Sequence, residues 1–263
     1  MKKILILAAL ISCIIFGCKK KEKVSQAGVY RMDKQMASGG GKGKDTVYKR
    51  TQMKIYTDKY FMWAGMAPDS SVGFGTGSYH LDTGNKIIES NIYSSGYLDS
   101  SKTFNLTVTR KDSGYTQLIP GFALVKGVKY DLVENYSKVT ATDTSVLDGL
   151  WKLDKNYWVK GKDTTKGQEV QFKIFQGGHF MFVHRYPLTQ AGKTTSFKNG
   201  FGYGTFSFKK DTLTEEEEWS SHSVLVGRKF SIKITMKGND EYWQVIDDPK
   251  AGEQSTEIYK RVQ

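Results

Sequence analysis

Proline and cysteine are scarce: the 263 residues hold 4 Pro and 2 Cys. Two cysteines exclude a disulfide-dense secreted scaffold. Acidic residues are also in deficit, with Asp+Glu 27 against Lys+Arg 39 and a formal charge of +12. No apolar run reaches the roughly twenty residues of a membrane-spanning helix. With charged residues at 25%, a multi-span membrane protein is excluded. Wholesale disorder is excluded by what is abundant, namely 15 Tyr, 14 Phe and 5 Trp, which supply large apolar surfaces to bury. The length suggests one or two domains.

The N-terminus carries a targeting signal. Met1-Lys2-Lys3 precedes an apolar run from Ile4 to Gly17, broken only by Ser12 and Cys13. A run of about fourteen residues is the length of a cleaved secretory h-region. It ends in Ile15-Phe16-Gly17-Cys18, followed by Lys19, Lys20, Lys21 and Lys23. The tetrapeptide resembles the lipobox of bacterial lipoproteins. That resemblance implies cleavage before Cys18, acylation of Cys18 and anchoring in a lipid bilayer, since several acyl chains hold a protein firmly where one does not. Lys19 is unlike the aspartate that retains lipoproteins at the inner membrane, so the expected location is the outer membrane, on its periplasmic or cell-surface face. Residues 1–17 are then signal peptide and 18–27 a flexible tether. Loss of Lys2 and Lys3 lowers the formal charge to +10, and the tether's four lysines and Glu22 carry three more, leaving the body near +7. Lysines beside a bilayer attract anionic head groups. No basic stripe with interleaved aromatics marks a nucleic-acid partner. Once Cys13 has left with the signal peptide and Cys18 is acylated, the body has no thiol for a disulfide, a zinc site or nucleophilic catalysis.

The body reads as an internal duplication of residues 28–139 and 149–263, joined by a polar linker, 140–148. Gly28-Val-Tyr30-Arg-Met32-Asp33 aligns with Gly149-Leu-Trp151-Lys-Leu153-Asp154. Met53-Lys-Ile-Tyr56 aligns with Phe172-Lys-Ile-Phe175, and Gly73-Phe-Gly75-Thr-Gly77 with Gly200-Phe-Gly202-Tyr-Gly204. Tyr115-Thr-Gln117 aligns with Tyr242-Trp-Gln244, and Glu134-Asn-Tyr136 with Glu257-Ile-Tyr259. Each copy is too long for a solenoid unit and long enough for a small domain.

Period-two alternation dominates, and turn signals such as Gly177-Gly178 and Lys209-Lys210-Asp211 separate the runs. Each copy is expected to form about eight antiparallel strands joined by short hairpins, which suits an up-and-down β-barrel with no free edges. The Gly-x-Gly-x-Gly blocks run on into strand-like sequence rather than opening a helix, so they are read as barrel-wall glycines and not as a dinucleotide loop.

Gly149-Leu-Trp151, the block Lys173 to Phe182, the Gly-rich strand and the terminal Glu-x-Tyr-x-x-Val together resemble the small lipocalin-like domains of Bacteroidota lipoproteins, present twice. The resemblance implies an all-β body of two tandem barrels. It also implies that Trp151 closes one barrel end with Arg261 packed over it as a cation–π partner, with Tyr30 and Lys138 as the counterpart pair.

Catalytic signals are thin. His179 and His184 are five apart on one presumed strand and should face opposite ways. His184 beside Arg185 and Tyr186 reads as turn-flanking, or as lining a barrel mouth. Glu215-Glu216-Glu217-Glu218 reads as a solvated strand edge, and Ser145, Ser220 and Ser221 lack a triad context. No metal and no cofactor is expected. The paired aromatics are the better clue: Tyr56, Trp63 and Tyr79 in the first copy and Phe175, Phe182 and Phe206 in the second are the candidate ligand-contacting side chains. Either they fill a solid core or they line a cavity. The expected function is non-catalytic binding of a small apolar ligand or of an envelope protein partner. A structural or assembly accessory with solid barrels is the alternative, and an enzyme comes third.

Overall fold

A computed structural model describes residues 25–38, 45–95, 102–125, 128–190, 193–248 and 252–263. The lipobox and Cys18 lie outside the described residues. The first copy forms β1 (Gly28–Ser38), β2 (Thr46–Tyr48), β3 (Thr51–Tyr56), β4 (Tyr60–Met66), β5 (Val72–Leu81), β6 (Lys86–Ser94), β7 (Thr103–Lys111), β8 (Gly114–Val125) and β9 (Val128–Val139). The second forms β10 (Gly149–Lys160), β11 (Asp163–Lys166), β12 (Val170–Gln176), β13 (His179–Gln190), β14 (Lys193–Lys209), β15 (Thr212–Ser220), β16 (Lys229–Lys237), β17 (Glu241–Asp248) and β18 (Glu253–Arg261).

Each set is one antiparallel meander closed on itself, β1 pairing with β9 and β10 with β18. β2 and β3 lie end to end along β1, Thr46–Tyr48 against Ala37–Gln35 and Met53–Tyr56 against Arg31–Gly28. β11 and β12 divide β10 in the same way. Each barrel therefore has eight staves. The small extra strand was not legible because residues such as Asp163-Thr-Thr-Lys166 are fully exposed and carry no apolar alternation. Tight hairpins need positive φ, which Gly177 and Gly178 supply between β12 and β13 (54° and 80°). Both barrels carry a register shift at the same place, beside Asp33 and beside Asp154. Such a bulge bends a strand and sharpens its twist, which helps a small barrel close.

One end of each barrel is plugged by aromatic rings. In the first, Tyr30, Tyr56, Phe61, Tyr79, Tyr115 and Tyr136 cluster with Ile87, Leu106 and Val108. In the second, Trp151, Phe175, Phe180, Phe206, Tyr242 and Tyr259 do so with Leu147, Leu213 and Ile234. The guanidinium carbon of Arg261 stands 4.1 Å from the Trp151 ring centroid. Its Nη1 and Nη2 donate to the carbonyls of Asp148 and Val146, and Trp151 Nε1 donates to Leu147 O at 2.7 Å. Tyr30 and Lys138 are register partners, as are Trp151 and Arg261. The Tyr30 hydroxyl donates to the buried Gln26, again four residues upstream. The packed part of each copy thus begins before its first strand, at Gln26 and at Leu147.

The walls facing each other are apolar on both sides. Val29, Met53, Ile55, Met62, Ala64 and Phe74 of the first barrel form one buried cluster with Leu150, Phe172, Ile174, Met181, Val183, Phe201 and Tyr203 of the second. Tyr93 stacks on Phe172 across this junction at 5.2 Å, and Asn199 Nδ2 donates to Ser95 O at 2.9 Å. Because side chains alternate along a strand, the neighbours of these residues point into the barrels.

Candidate ligand sites inside the two barrels

A buried polar layer lies against each aromatic plug, and the duplication preserves its chemistry. Lys54 and Lys173 sit at the centre of β3 and β12, flanked by the outward residues Met53 and Ile55 or Phe172 and Ile174, so alternation points both ammonium groups inward. Lys54 Nζ meets Glu89 at 2.7 Å, and Lys173 Nζ meets Glu215 at 2.8 Å. Each ammonium also lies over plug rings, Tyr56 and Phe61 in one barrel and Phe175, Phe180 and Tyr259 in the other. Gln117 Nε2 donates to Glu134 at 2.5 Å, and Gln244 Nε2 donates to Glu257 at 2.6 Å. The hydroxyls of Tyr136 and Tyr259 donate to those same carboxylates. Gln52 donates to Tyr136, and Gln171 to Tyr259. Buried carboxylates of this kind persist only because charge and hydrogen bonds surround them.

Beyond this layer each barrel opens into a cavity. The first measures about 290 Å³ and is bounded by the polar layer, by Trp63, Phe104, Ile119, Phe122 and Leu132, and by Arg50. The second measures about 570 Å³, with Phe182, His184, Tyr186, Phe230, Ile232 and Ile246 on its walls and Trp158 at its edge. Of the six candidate aromatics, Trp63 and Phe182 line the cavities. Tyr56, Tyr79, Phe175 and Phe206 stand in the plugs.

The repeated glycines make room for the inward side chains. A Cβ at Gly73 would lie 2.2 Å from Arg50 Nη2, and one at Gly75 would lie 2.7 Å from Trp63 Nε1. At Gly200 it would meet His184 and His222, and at Gly202 Phe182 and Glu217. Gly77 and Gly204 serve close backbone approach instead, against Ser90 O and Glu216 O.

The acidic run 215–218 alternates as a strand should, but its inner members are buried rather than solvated: Glu215 and Glu217 are 6% and 3% exposed, while Glu216 and Glu218 are exposed. Burial, reinforced by the charge of Glu215, pushes the Glu217 carboxyl up to about 7, with Lys173 opposing. Burial likewise raises Glu257. His184 is a cavity residue, not a turn-flanking one. Its Nε2 faces His222 Nε2 at 2.8 Å, and its Nδ1 faces Glu169 at 3.3 Å. One of the two facing nitrogens must carry the shared proton. His179 points the other way, with Nε2 at Thr140 O and Nδ1 at the Tyr203 hydroxyl. Among the described residues no three His, Cys, Asp or Glu side chains are grouped to hold a metal ion.

Glu217 sets a pH dependence. Its folded value near 7 lies above the ordinary 4.5, so folding favours the protonated acid. That contribution is whole below about pH 4.5 and is lost as pH rises through 7, amounting to roughly 3 kcal/mol. Glu217→Gln, neutral at every pH, is expected to gain stability relative to the parent between pH 5 and pH 8, measured by urea denaturation. A difference independent of pH would show that Glu217 is ordinary. His222, lowered by burial, contributes the opposite slope below pH 6.5 in both proteins and cancels in the difference.

Sequence reasoning passed over the polar layer, Arg50 and His222. The layer had a signal: Lys54, Gln117, Glu134 and Tyr136 all recur inside the duplicated blocks. A lysine kept between apolar neighbours in both copies marks an inward position. Arg50 and His222 had none, because they reach their cavities from a strand break and from the β15–β16 connection.

No family model matches the chain, and no curated protein matches it. Among solved structures it is similar to a lipocalin-like protein from Bacteroides uniformis, at 16% identity and a TM-score of 0.30, over 45% of this chain and 100% of that one. It is also similar to a protein of unknown function from the DUF3598 family of Nostoc punctiforme, at 10% identity and 0.26, over 90% and 96%. A tryptophan-to-alanine mutant of the vaccine antigen transferrin binding protein B from Haemophilus parasuis follows at 12% and 0.22, over 92% and 62%. The assignment of two closed antiparallel barrels rests on strand order and pairing, not on these likenesses.

Proposed function

We propose that the chain is a lipid-anchored protein of the outer membrane, on its periplasmic or cell-surface face, whose barrels bind small amphipathic molecules without chemical change. The observation that carries this reading is the duplicated axial order inside each barrel: an aromatic plug, a buried polar layer, then an open cavity with apolar walls. Concave sites with mostly apolar walls and a few placed polar groups are the usual form of small-ligand sites, which occupy roughly 300–1,000 Å³. The polar layer changes the expected ligand from apolar to amphipathic, because a purely apolar molecule would leave the layer's outer lone pairs and protons facing hydrocarbon. The cavities also favour binding over the alternative of solid structural barrels. Anchoring is supported by the sequence around Cys18, whose acyl groups would tether the body through residues 19–24.

Mass spectrometry tests both halves. The intact chain from a bacterial envelope is expected to begin at Cys18 with added acyl mass, and Cys18→Ser to lack it. Native spectra of the body from Ser25 onward, incubated with an envelope lipid extract, are expected to show small-molecule adducts. A chain still beginning at Met1 overturns the anchor, and a body recovered only empty overturns ligand capture.

A further inference from the structure

The two cavities differ in charge, the first balanced and the second acidic, and the difference traces to single positions in the repeat. Counting back along β3 and β12 from the equivalent lysines, Gln52 corresponds to Gln171 and Arg50 to Glu169. On β6 and β15, Asn91 corresponds to Glu217. In the second barrel Lys173 is thus the single ammonium among four carboxylates that line the cavity, Glu169, Glu215, Glu217 and Glu257. In the first barrel Glu89 and Glu134 share the cavity with two cations, Lys54 and Arg50.

Those two cations differ in how they are used. Lys54 is committed to Glu89 and Gln117. Glu134 is committed too, its Oε1 accepting from Gln35 at 2.6 Å and its Oε2 from Gln117 and Tyr136. Arg50 has no hydrogen bond or ion pair among the described residues, and its Nε is buried without a partner. Its guanidinium is held where Gly65 and Gly73 leave room, with its central carbon 5.6 Å from the Trp63 ring centroid. Burial lowers its proton affinity, which the field of Glu134 only partly restores. A guanidinium fixed in a cavity with idle donors is matched by a planar anion that accepts two parallel N–H bonds.

From this geometry, and resting on the binding reading above, we infer that the first barrel binds an amphipathic monocarboxylate, with its carboxylate on Arg50 and its apolar part against Trp63, Phe104, Ile119, Phe122 and Leu132, and that the second barrel rejects it. A monoanion fits better than a phosphate dianion, because one unpaired cation stands in the same cavity as two buried carboxylates. A cavity of about 290 Å³ equals the share of on the order of ten waters at ~30 Å³ each, room for a chain of medium length.

Isothermal titration of the body from Ser25 onward, which contains every strand of both closed sheets, with decanoate and with decan-1-ol tests the inference. One decanoate per chain is expected to bind, at least tenfold more tightly than the alcohol. Arg50→Gln is expected to bring decanoate down to the alcohol's affinity, and Arg50→Lys to keep part of the preference. Equal affinity for the two probes, or an unchanged preference in Arg50→Gln, overturns the carboxylate site and leaves ligand binding standing. Two equivalent decanoates per chain overturn the distinction between the barrels. Failure of both probes to bind overturns the site together with the binding reading. Thermal melting of each variant confirms that the barrels are intact.

Discussion

Lys173→Met should destabilise the protein by about 3–5 kcal/mol, the usual result of removing one partner from a buried ion pair. The loss is not the worth of one contact. The Lys173 side chain is 4% exposed, with Nζ 2.8 Å from Glu215, and it is the cation that opposes the upward push on Glu217 and Glu257. Methionine fills the same volume and leaves Glu215 unpaired among Glu217, Glu257 and the rings of Phe175, Phe180 and Tyr259. Charge, not packing, is therefore the quantity being changed. Lys173→Met/Glu215→Gln is expected to recover more than half of the loss, because the amide needs no counter-charge. Equilibrium urea denaturation at pH 7 measures both variants. A single variant within ~1 kcal/mol of the parent, or a double variant no better than the single, would show that the pair is neither buried nor coupled. Lys54→Met should cost less, since Arg50 remains in that barrel and its field reaches Glu134.

This prediction concerns a residue that sequence inspection saw but did not use. The blocks around Lys54 and Lys173 were recognisable as repeats by their flanking aromatics, and the period-two pattern gave most strands. What alternation does not give is which face is inside when both faces are apolar. Phe180, Met181 and Phe182 are consecutive, and the second points to the neighbouring barrel while the other two point inward. A strand buried on both sides reads as a continuous apolar run, so the junction between barrels merged with their cores in the sequence. The same ambiguity hid the polar layer, because an inward lysine is legible only once its neighbours are known to face outward. The aromatics divided for a related reason. Tyr56, Trp63 and Tyr79 share an inward face, and their height along the barrel axis, set by stagger between strands, decides plug against cavity. His184 and His222 come together across a loop, and Arg50 enters through glycine-made space. Both are three-dimensional coincidences of chain path, with no local sequence mark.

The junction makes the second large prediction. Ile174 is fully buried on the outer face of β12, within the cluster shared with Met53, Ile55, Met62 and Phe74 of the first barrel. Ile174→Asp should cost at least about 4 kcal/mol, combining lost apolar burial with a carboxylate that has no partner. It should also change the form of unfolding. Two barrels that share one apolar cluster are expected to melt in a single transition, because exposing either wall leaves an apolar patch on the other. With aspartate in the cluster, the charge is solvated only if the walls separate, so the variant should show two calorimetric transitions where the parent shows one. Phe172→Ala, which removes the stack on Tyr93 without burying charge, should cost about 3 kcal/mol and keep a single transition. It provides the measurement if the aspartate variant does not fold. The lysines of the polar layers lie on the inner faces of β3 and β12, one residue away from the junction on each side. A wall packed on its outer face is held in register, and register is what aims Lys54 and Lys173 inward. The junction is therefore expected to matter to the cavities as well as to stability. In Phe172→Ala, an unchanged melting temperature together with unchanged cooperativity would show that the barrels merely touch.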